Sequence, residues 1–219
     1  MKKQFLRKNS LLIFICLMIA QGSFSQTIED CYVDMPDILN PTLSRQNRLE
    51  LVGYHKAKQS DSVVNRFGNQ AYLVSLDSLG KRIVVKNSSS SRFEMKVLSL
   101  DENVKVISII RTICAPVCLS SIEFYDTAWN AISVQFTMPK AIDWVNESAL
   151  PKDQVDVQWI KNNLDIGFVS LTFTSQGQMI QATNNTLDFF SEADRKLISP
   201  FMNNSPILFK LSGRVWVRN

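Results

Sequence analysis

The chain has 219 residues and a formal net charge of +4, and 45% of its residues are hydrophobic. The charge excess lies at the amino terminus, where four basic residues precede the first acidic one, and the other 20 basic residues are balanced by 20 acidic residues. The rest of the chain is therefore neutral, which excludes partners that are held by net positive charge, nucleic acids among them.

The first 25 residues have the pattern of an export signal. Lysines and arginines precede an apolar run over residues 11–20, and small residues follow it before Gln26. The run has about ten residues, which is too short to anchor the chain across a bilayer. We therefore predict cleavage near Ser25/Gln26. The mature chain, residues 26–219, is expected to be periplasmic or secreted, soluble, and free of membrane insertion.

A first helix is predicted after a segment that contains two prolines. Ser44 suits the position before the helix, apolar residues recur at helical spacing from Leu49 to Tyr54, and Lys58 lies near its end. His55, the single histidine of the chain, falls at the edge of the apolar face. A lone histidine in this place indicates a packing or capping residue rather than a catalytic one.

Three strands are predicted next. Residues 71–77 and 81–87 lie on either side of Gly80, which is typical of a hairpin. Residues 92–100 alternate apolar and charged side chains after a serine-rich loop. That loop is too short to separate two independent domains.

The strongest strand signal is a central hairpin over residues 104–114 and 118–126. Its first arm is β-branched at most positions, and Cys114 and Cys118 flank a three-residue connection centred on a proline. Opposed cysteines would fix the register, so that Thr112 faces Ser120. Both faces of the first arm are then largely apolar, which predicts a sheet covered on both sides.

The cysteine pair has three interpretations. In an exported protein, Cys114 and Cys118 are expected to form a structural disulfide. The alternatives are a redox-active pair and a metal site, although one histidine and two thiolates cannot complete a zinc shell without carboxylates. Cys31 then remains either free or paired between chains.

The remaining predicted elements mix strands and helices. They are, in chain order, a strand over 131–138, a helix opened by Pro151 and ended by residues 165–167, a hairpin over 168–174 and 178–183, a short helix from Ser191 through Ile198, and a hairpin over 207–211 and 215–217. This order predicts an α+β fold, an antiparallel β-sheet meander with two or three packing helices.

An internal similarity bears on the domain organisation. Residues 72–88 overlay on 169–185 with Gly80 on Gly177, and each stretch follows a predicted helix. One interpretation is a duplicated helix-plus-hairpin unit that gives two lobes, residues 26–140 and 141–219. The other is a single α+β domain in which two amphipathic hairpins look alike.

Three stretches resemble an uncharacterised family of exported Bacteroidetes proteins, a domain of unknown function. They are Met35-Pro36-Asp37 ahead of Asn47-Arg48-Leu49, the run over residues 111–118, and Phe124-Tyr125-Asp126 followed by Trp129. The resemblance covers nearly the whole mature chain. It implies an exported protein of the cell envelope and supplies no activity, substrate or catalytic residue.

The sequence contains no motif that specifies a known chemistry. Nucleophile-elbow, phosphate-loop, dinucleotide and metalloprotease motifs are all missing, so we identify no catalytic residue, cofactor or metal ligand. Paired-carboxylate hydrolysis stays open, because no spacing singles out two of the acidic residues.

These observations favour a non-catalytic binding or interaction module whose partner is an envelope protein or a glycan. Trp144 and Trp216 are candidate ligand-contact aromatics, because a binding module presents an exposed apolar or aromatic patch. The alternatives are an envelope hydrolase that uses two carboxylates and a thiol redox protein.

Overall fold

The computed structural model describes residues 26–101, 104–150, 154–175 and 177–219. Four helices lie in these ranges: α1 (Ile28–Asp34), α2 (Arg45–Lys56), α3 (Gln154–Asn163) and α4 (Glu192–Ile198). The strands are β1 (Ser62–Val64), β2 (Gln70–Asp77), β3 (Arg82–Lys86), β4 (Ser91–Ser99), β5 (Lys105–Cys114), β6 (Cys118–Tyr125), β7 (Val169–Phe173), β8 (Met179–Asn184), β9 (Ile207–Ser212) and β10 (Val215–Arg218). Short 3₁₀ helices span Asp37–Leu39, Ala141–Trp144, Glu147–Ala149, Thr186–Asp188 and Ser199–Phe201.

The strands form two antiparallel sheets. Sheet 1 is a six-stranded meander of β1 to β6 in chain order, and sheet 2 has the order β10-β9-β8-β7. The predicted α+β class is confirmed. The prediction of two or three helices missed α1, whose seven residues begin at a capping box between Thr27 and Asp30.

The central hairpin has the predicted register. Cys114 pairs with Cys118, Thr112 with Ser120, and the pairing continues to Ile107 opposite Tyr125. The alternation of the two arms and the short connection between the cysteines therefore sufficed to align the strands.

Sheet 1 is covered on both faces, as the central hairpin predicts. On one face, α1 and α2 pack against β2, β3 and β4 in an apolar core that also contains Ile107 and Ile109 of β5. On the other face, Val106 and Ile110 pack with residues of sheet 2, α3 and α4. Two apolar cores thus share one sheet as their common wall.

Sheet 2 docks onto sheet 1 through its edge strand, β7. The backbone N–H groups of Leu171 and Phe173 donate to Ser120 Oγ at 2.9 Å and to Glu94 Oε1 at 2.8 Å. Glu94 is almost fully buried and also accepts from Arg82 Nε at 2.8 Å. Side chains of sheet 1 thereby satisfy donors that an edge strand leaves unpaired.

A buried arginine of α2 holds the proline-containing segment that precedes the helix. The Arg48 side chain is fully buried and donates to the carbonyl oxygens of Val33 at 3.1 Å and Leu43 at 2.6 Å, and to that of Met35. It also donates to Asp37 Oδ1 at 3.0 Å. The planar guanidinium can serve several acceptors at once, so Arg48 fixes the course of the chain between α1 and α2.

The predicted strand over residues 131–138 is wrong. Ala131 and Gln135 form isolated bridges, to Tyr125 of β6 and to Val215 of β10 respectively. The segment leaves the edge of sheet 1 and crosses to the edge of sheet 2, so no single strand pairs with it along its length.

The helix predicted to open at Pro151 corresponds to α3, although Pro151 itself lies outside the described residues. Helix α3 ends at Asn163, two residues before the predicted stop. Within the described ranges, none of the helices has the length and apolar character needed to cross a membrane.

Candidate functional site

The tip of the central hairpin is closed by a disulfide. Cys114 and Cys118 are bonded, with their Cα atoms 3.9 Å apart and a cis peptide bond between Ala115 and Pro116 in the connection. The predicted disulfide bond between these two cysteines is confirmed, and its structural rather than redox role stays a prediction. It links β5 to β6 at the point where the two strands meet the connection.

An exposed apolar surface lies beside this disulfide. Ile113 and Leu119 oppose each other across β5 and β6, and 61% and 48% of their surfaces are exposed. Ile38, which is 84% exposed, precedes Leu39, whose carbonyl oxygen accepts from Arg111 Nη2 at 2.7 Å. We call Ile38, Ile113 and Leu119 the hairpin surface.

Polar side chains border the hairpin surface on the same face of the hairpin. Arg111 donates from Nη1 to Glu123 Oε2 at 2.7 Å, and Tyr125 Oη donates to the same oxygen at 2.5 Å. The Arg111 guanidinium also lies 6.0 Å from the centre of the Phe93 ring. These contacts fix the arginine over the sheet, so the apolar side chains have a rigid polar border.

The polar side chains of this border lower the pKa of the Glu123 carboxyl. Partial burial alone would raise its pKa, but the hydrogen bonds from Tyr125 and Arg111, together with the arginine charge, outweigh that effect and lower the pKa below 4.5. Glu123 is therefore held as a carboxylate beside the hairpin surface at neutral pH.

The two candidate tryptophans are not exposed. Trp144 is 2% and Trp216 is 5% exposed, and both belong to the core between the sheets. Trp144 donates from Nε1 to the carbonyl oxygen of Ser205 at 2.9 Å. The expectation of an exposed aromatic patch at these positions is wrong, because both rings complete the apolar wall of sheet 2. A ligand contact at either ring stays a prediction.

Trp144 does reach one surface pocket. The pocket has a volume of about 220 Å³, and its lining includes Asp143, Trp144, Asn203 and Arg218. Ligand pockets for drug-sized molecules usually exceed 300 Å³. This pocket is smaller, and Trp144 lies in it with very little of its surface accessible.

A second pocket combines opposite charges. It has a volume of about 200 Å³ and lies between the 3₁₀ helix Ala141–Trp144 and the end of α3. Its charged lining residues are Lys140, Glu147, Lys161 and Asp165, and we call it the charged pocket. It brings two carboxylates together, as a hydrolase would require, but both side chains are exposed to solvent. In a hydrolase with two carboxyl groups, one is desolvated and stays protonated as the general acid while the other stays ionised. Neither carboxylate of this pocket has such a desolvated environment.

The single histidine has one polar partner among the described residues. His55 Nδ1 lies 2.5 Å from Asp61 Oδ1 on the surface, and no hydroxyl or thiol in that part of the chain is hydrogen-bonded to the ring. The pair lacks a nucleophile, so it does not form the three-member arrangement of a serine or cysteine hydrolase.

The remaining thiol is buried. Cys31 is 2% exposed, and burial, followed by the nearby Asp30 charge, raises the pKa of its thiol to about 11. A thiol of this kind is unreactive at neutral pH. The described residues also contain no group of three or more histidines, cysteines and acids placed to hold a metal ion.

Comparison with known proteins identifies relatives without a known activity. A family model described as "Protein of unknown function (DUF3256)" matches residues 20–216. The chain is also similar to the structure of a domain of an uncharacterized protein from Porphyromonas gingivalis W83. That likeness has a TM-score of 0.73 at 18% sequence identity and covers 88% of this chain and 97% of that one. No curated protein sequence matches the chain.

Proposed function

The chain belongs to this family of proteins of unknown function, and we propose that it is an exported envelope protein that binds another protein through the hairpin surface. The observation that carries the proposal is the exposure of Ile113 and Leu119, which oppose each other on a disulfide-linked hairpin. Apolar side chains that are exposed together on a rigid element are typical of interaction sites.

Export is supported by two independent features. The amino-terminal 25 residues have the basic, apolar and small-residue pattern of a signal peptide. The disulfide between Cys114 and Cys118 is of a kind that persists in oxidising compartments. Amino-terminal sequencing of the protein from the cell envelope should find Gln26 as the first residue. A chain that starts at Met1 in the cytoplasm would contradict export.

The composition of the hairpin surface favours a protein partner over a glycan. Its exposed side chains are aliphatic, and its border provides an arginine, a carboxylate and a tyrosine hydroxyl, as at the rim of a protein interface. Glycans are commonly held by exposed aromatic faces, and the two tryptophans that were candidates for this role are buried.

Site-specific photo-crosslinking in the envelope tests the proposal. A photoreactive residue at Leu119 should give an adduct of defined mass, because it would lie inside the interface. Leu79 provides the control, since it is 96% exposed on the turn between β2 and β3, at the opposite end of sheet 1. Introducing Ile113→Glu should abolish the Leu119 adduct, because a charge at the centre of an apolar interface would be desolvated.

Two outcomes would contradict the proposal. One is an equal pattern of adducts from positions 119 and 79, which would indicate random collision. The other is the absence of any adduct at position 119 in correctly folded, exported protein.

A further inference from the structure

The charged pocket has an apolar floor and rigid walls. Leu164 is fully buried beneath it, and Ile142 and Val145 are half-buried. Gly167 lies so close to the neighbouring wall that a Cβ atom there would be 3.2 Å from the backbone nitrogen of Ala141. The loop after α3 is thus packed directly against the 3₁₀ helix beside the pocket.

Four charged residues line the pocket around that floor, and none of their side chains is paired with another residue of the described ranges. Lys140 precedes the 3₁₀ helix, Glu147 lies beyond it, Lys161 belongs to α3, and Asp165 follows α3. Throughout the described ranges, none of these ammonium and carboxylate groups forms an ion pair or a side-chain hydrogen bond. Elsewhere on the surface opposite charges do pair, as Lys196 does with Glu192 at 2.7 Å. Two basic and two acidic residues from separate backbone segments therefore line one small space.

We infer that the charged pocket binds a free α-amino acid with an aliphatic side chain. The ammonium groups of Lys140 and Lys161 attract its carboxylate, and the carboxylates of Glu147 and Asp165 attract its amino group. The aliphatic side chain packs on the accessible surfaces of Ile142 and Val145, which lie above the buried Leu164. A ligand with a single charge would leave one pair of protein charges without a partner.

The volume of the charged pocket is consistent with a single amino acid. About 200 Å³ corresponds to about seven water molecules at about 30 Å³ each, and bonded atoms pack more closely than waters. Leucine, with about nine non-hydrogen atoms, is the appropriate probe. Because the pocket is small and open to solvent, we expect a dissociation constant on the order of 0.1–1 mM.

Isothermal titration calorimetry with leucine tests the inference directly on the full mature protein. Two probes each lack one charge: 4-methylpentanoate has no amino group, and 3-methylbutylamine has no carboxylate. Both should bind at least about tenfold more weakly than leucine, because each forfeits one set of charge-assisted hydrogen bonds. Equal binding of either probe and leucine would overturn the inference, since it would indicate simple attraction of one charge.

Variants locate the site. Lys161→Gln and Glu147→Gln should each weaken leucine binding at least about fivefold, and both should remain folded because the side chains are exposed. Lys196→Gln, which removes an exposed lysine on α4, should leave the binding unchanged. Absence of leucine binding up to about 10 mM, or binding that the Lys161→Gln and Glu147→Gln variants retain in full, would overturn the inference. Because the hairpin surface lies on sheet 1, the Ile113→Glu variant should bind leucine normally, so the two proposals fail independently.

Discussion

Arg48 shows how one side chain can determine the course of a segment. Its buried guanidinium serves three backbone carbonyls and the Asp37 carboxylate, which belong to the end of α1 and to the segment between α1 and α2. The stretches Met35-Pro36-Asp37 and Asn47-Arg48-Leu49, which carried the family resemblance, are therefore the two halves of one structural contact.

We expect Arg48→Ala to lower the free energy of unfolding by about 3–5 kcal/mol, because it leaves buried acceptors without donors. Arg48→Lys should recover only part of this loss, since an ammonium cannot reproduce the planar fork. Urea unfolding provides the measurement. The control is Arg45→Ala on the same helix, whose exposed pair with Asp34 should be worth less than about 1 kcal/mol. Equal losses from the Arg48→Ala and Arg45→Ala variants would contradict the structural role of Arg48.

Glu123 gives a second test at this scale, through pH. Its folded-state pKa lies below the usual 4.5, so between the two values the unfolded chain binds more protons than the folded chain. The stabilisation is complete above pH 4.5 and is lost as the pH falls through the folded pKa. Glu123→Gln should therefore reduce the dependence of unfolding free energy on pH in that acidic range. A Glu123→Gln variant that keeps the wild-type dependence would show that these contacts do not stabilise the fold.

Among the elements, those with local signals were predictable from the sequence. The alternating side chains of β5 and β6 and the short spacing between Cys114 and Cys118 specify the register of the hairpin, and all of these signals lie close together in the sequence. Helices α2 and α4 have serine caps that the sequence displays directly.

Elements that depend on distant partners were not predictable. The apolar and polar residues of the segment over residues 131–138 alternate as in a strand. Its conformation, however, depends on the positions of β6 and β10, which are far apart in sequence. The burial of Trp144 and Trp216 likewise depends on how sheet 2 packs against sheet 1. Arg111, Glu123 and Tyr125 were not singled out as a border, although the predicted register does place all three on one face of the hairpin.

The disulfide joins two elements, β5 and β6. Replacing both Cys114 and Cys118 by serine should lower the free energy of unfolding by about 2 kcal/mol or less, since the closed loop is short. The variant should stay folded, because β5 also pairs with β4 from Lys105 to Ile113. Chemical denaturation measures the loss, and reduced wild-type protein should match the variant. An unfolded variant, or a reduction potential close to that of thiol oxidoreductases, would instead favour a larger or redox role.

At the scale of the molecule, the shared sheet should make unfolding cooperative. A fragment of residues 26–140 would retain α1, α2 and sheet 1 but would expose Leu98, Val106, Ile110 and Phe124, which sheet 2 covers in the whole chain. We therefore predict that this fragment binds a hydrophobic dye or aggregates, whereas residues 26–219 unfold in one calorimetric transition. A fragment that is monomeric and unfolds sharply on its own would show that the two lobes are independent domains.

The separation of the cysteines along the chain has a kinetic consequence for formation of the disulfide during folding. Among the described residues, Cys114 has one possible partner four residues away and another, Cys31, about 80 residues away. Closing the long loop is disfavoured by roughly 2.5–3 kcal/mol of chain entropy, which corresponds to a local encounter favoured about a hundredfold. The native bond should therefore form first and before the sheets assemble, and subsequent burial of Cys31 removes the thiol that could rearrange it. Formation of the native disulfide would then require an oxidant but no disulfide isomerase.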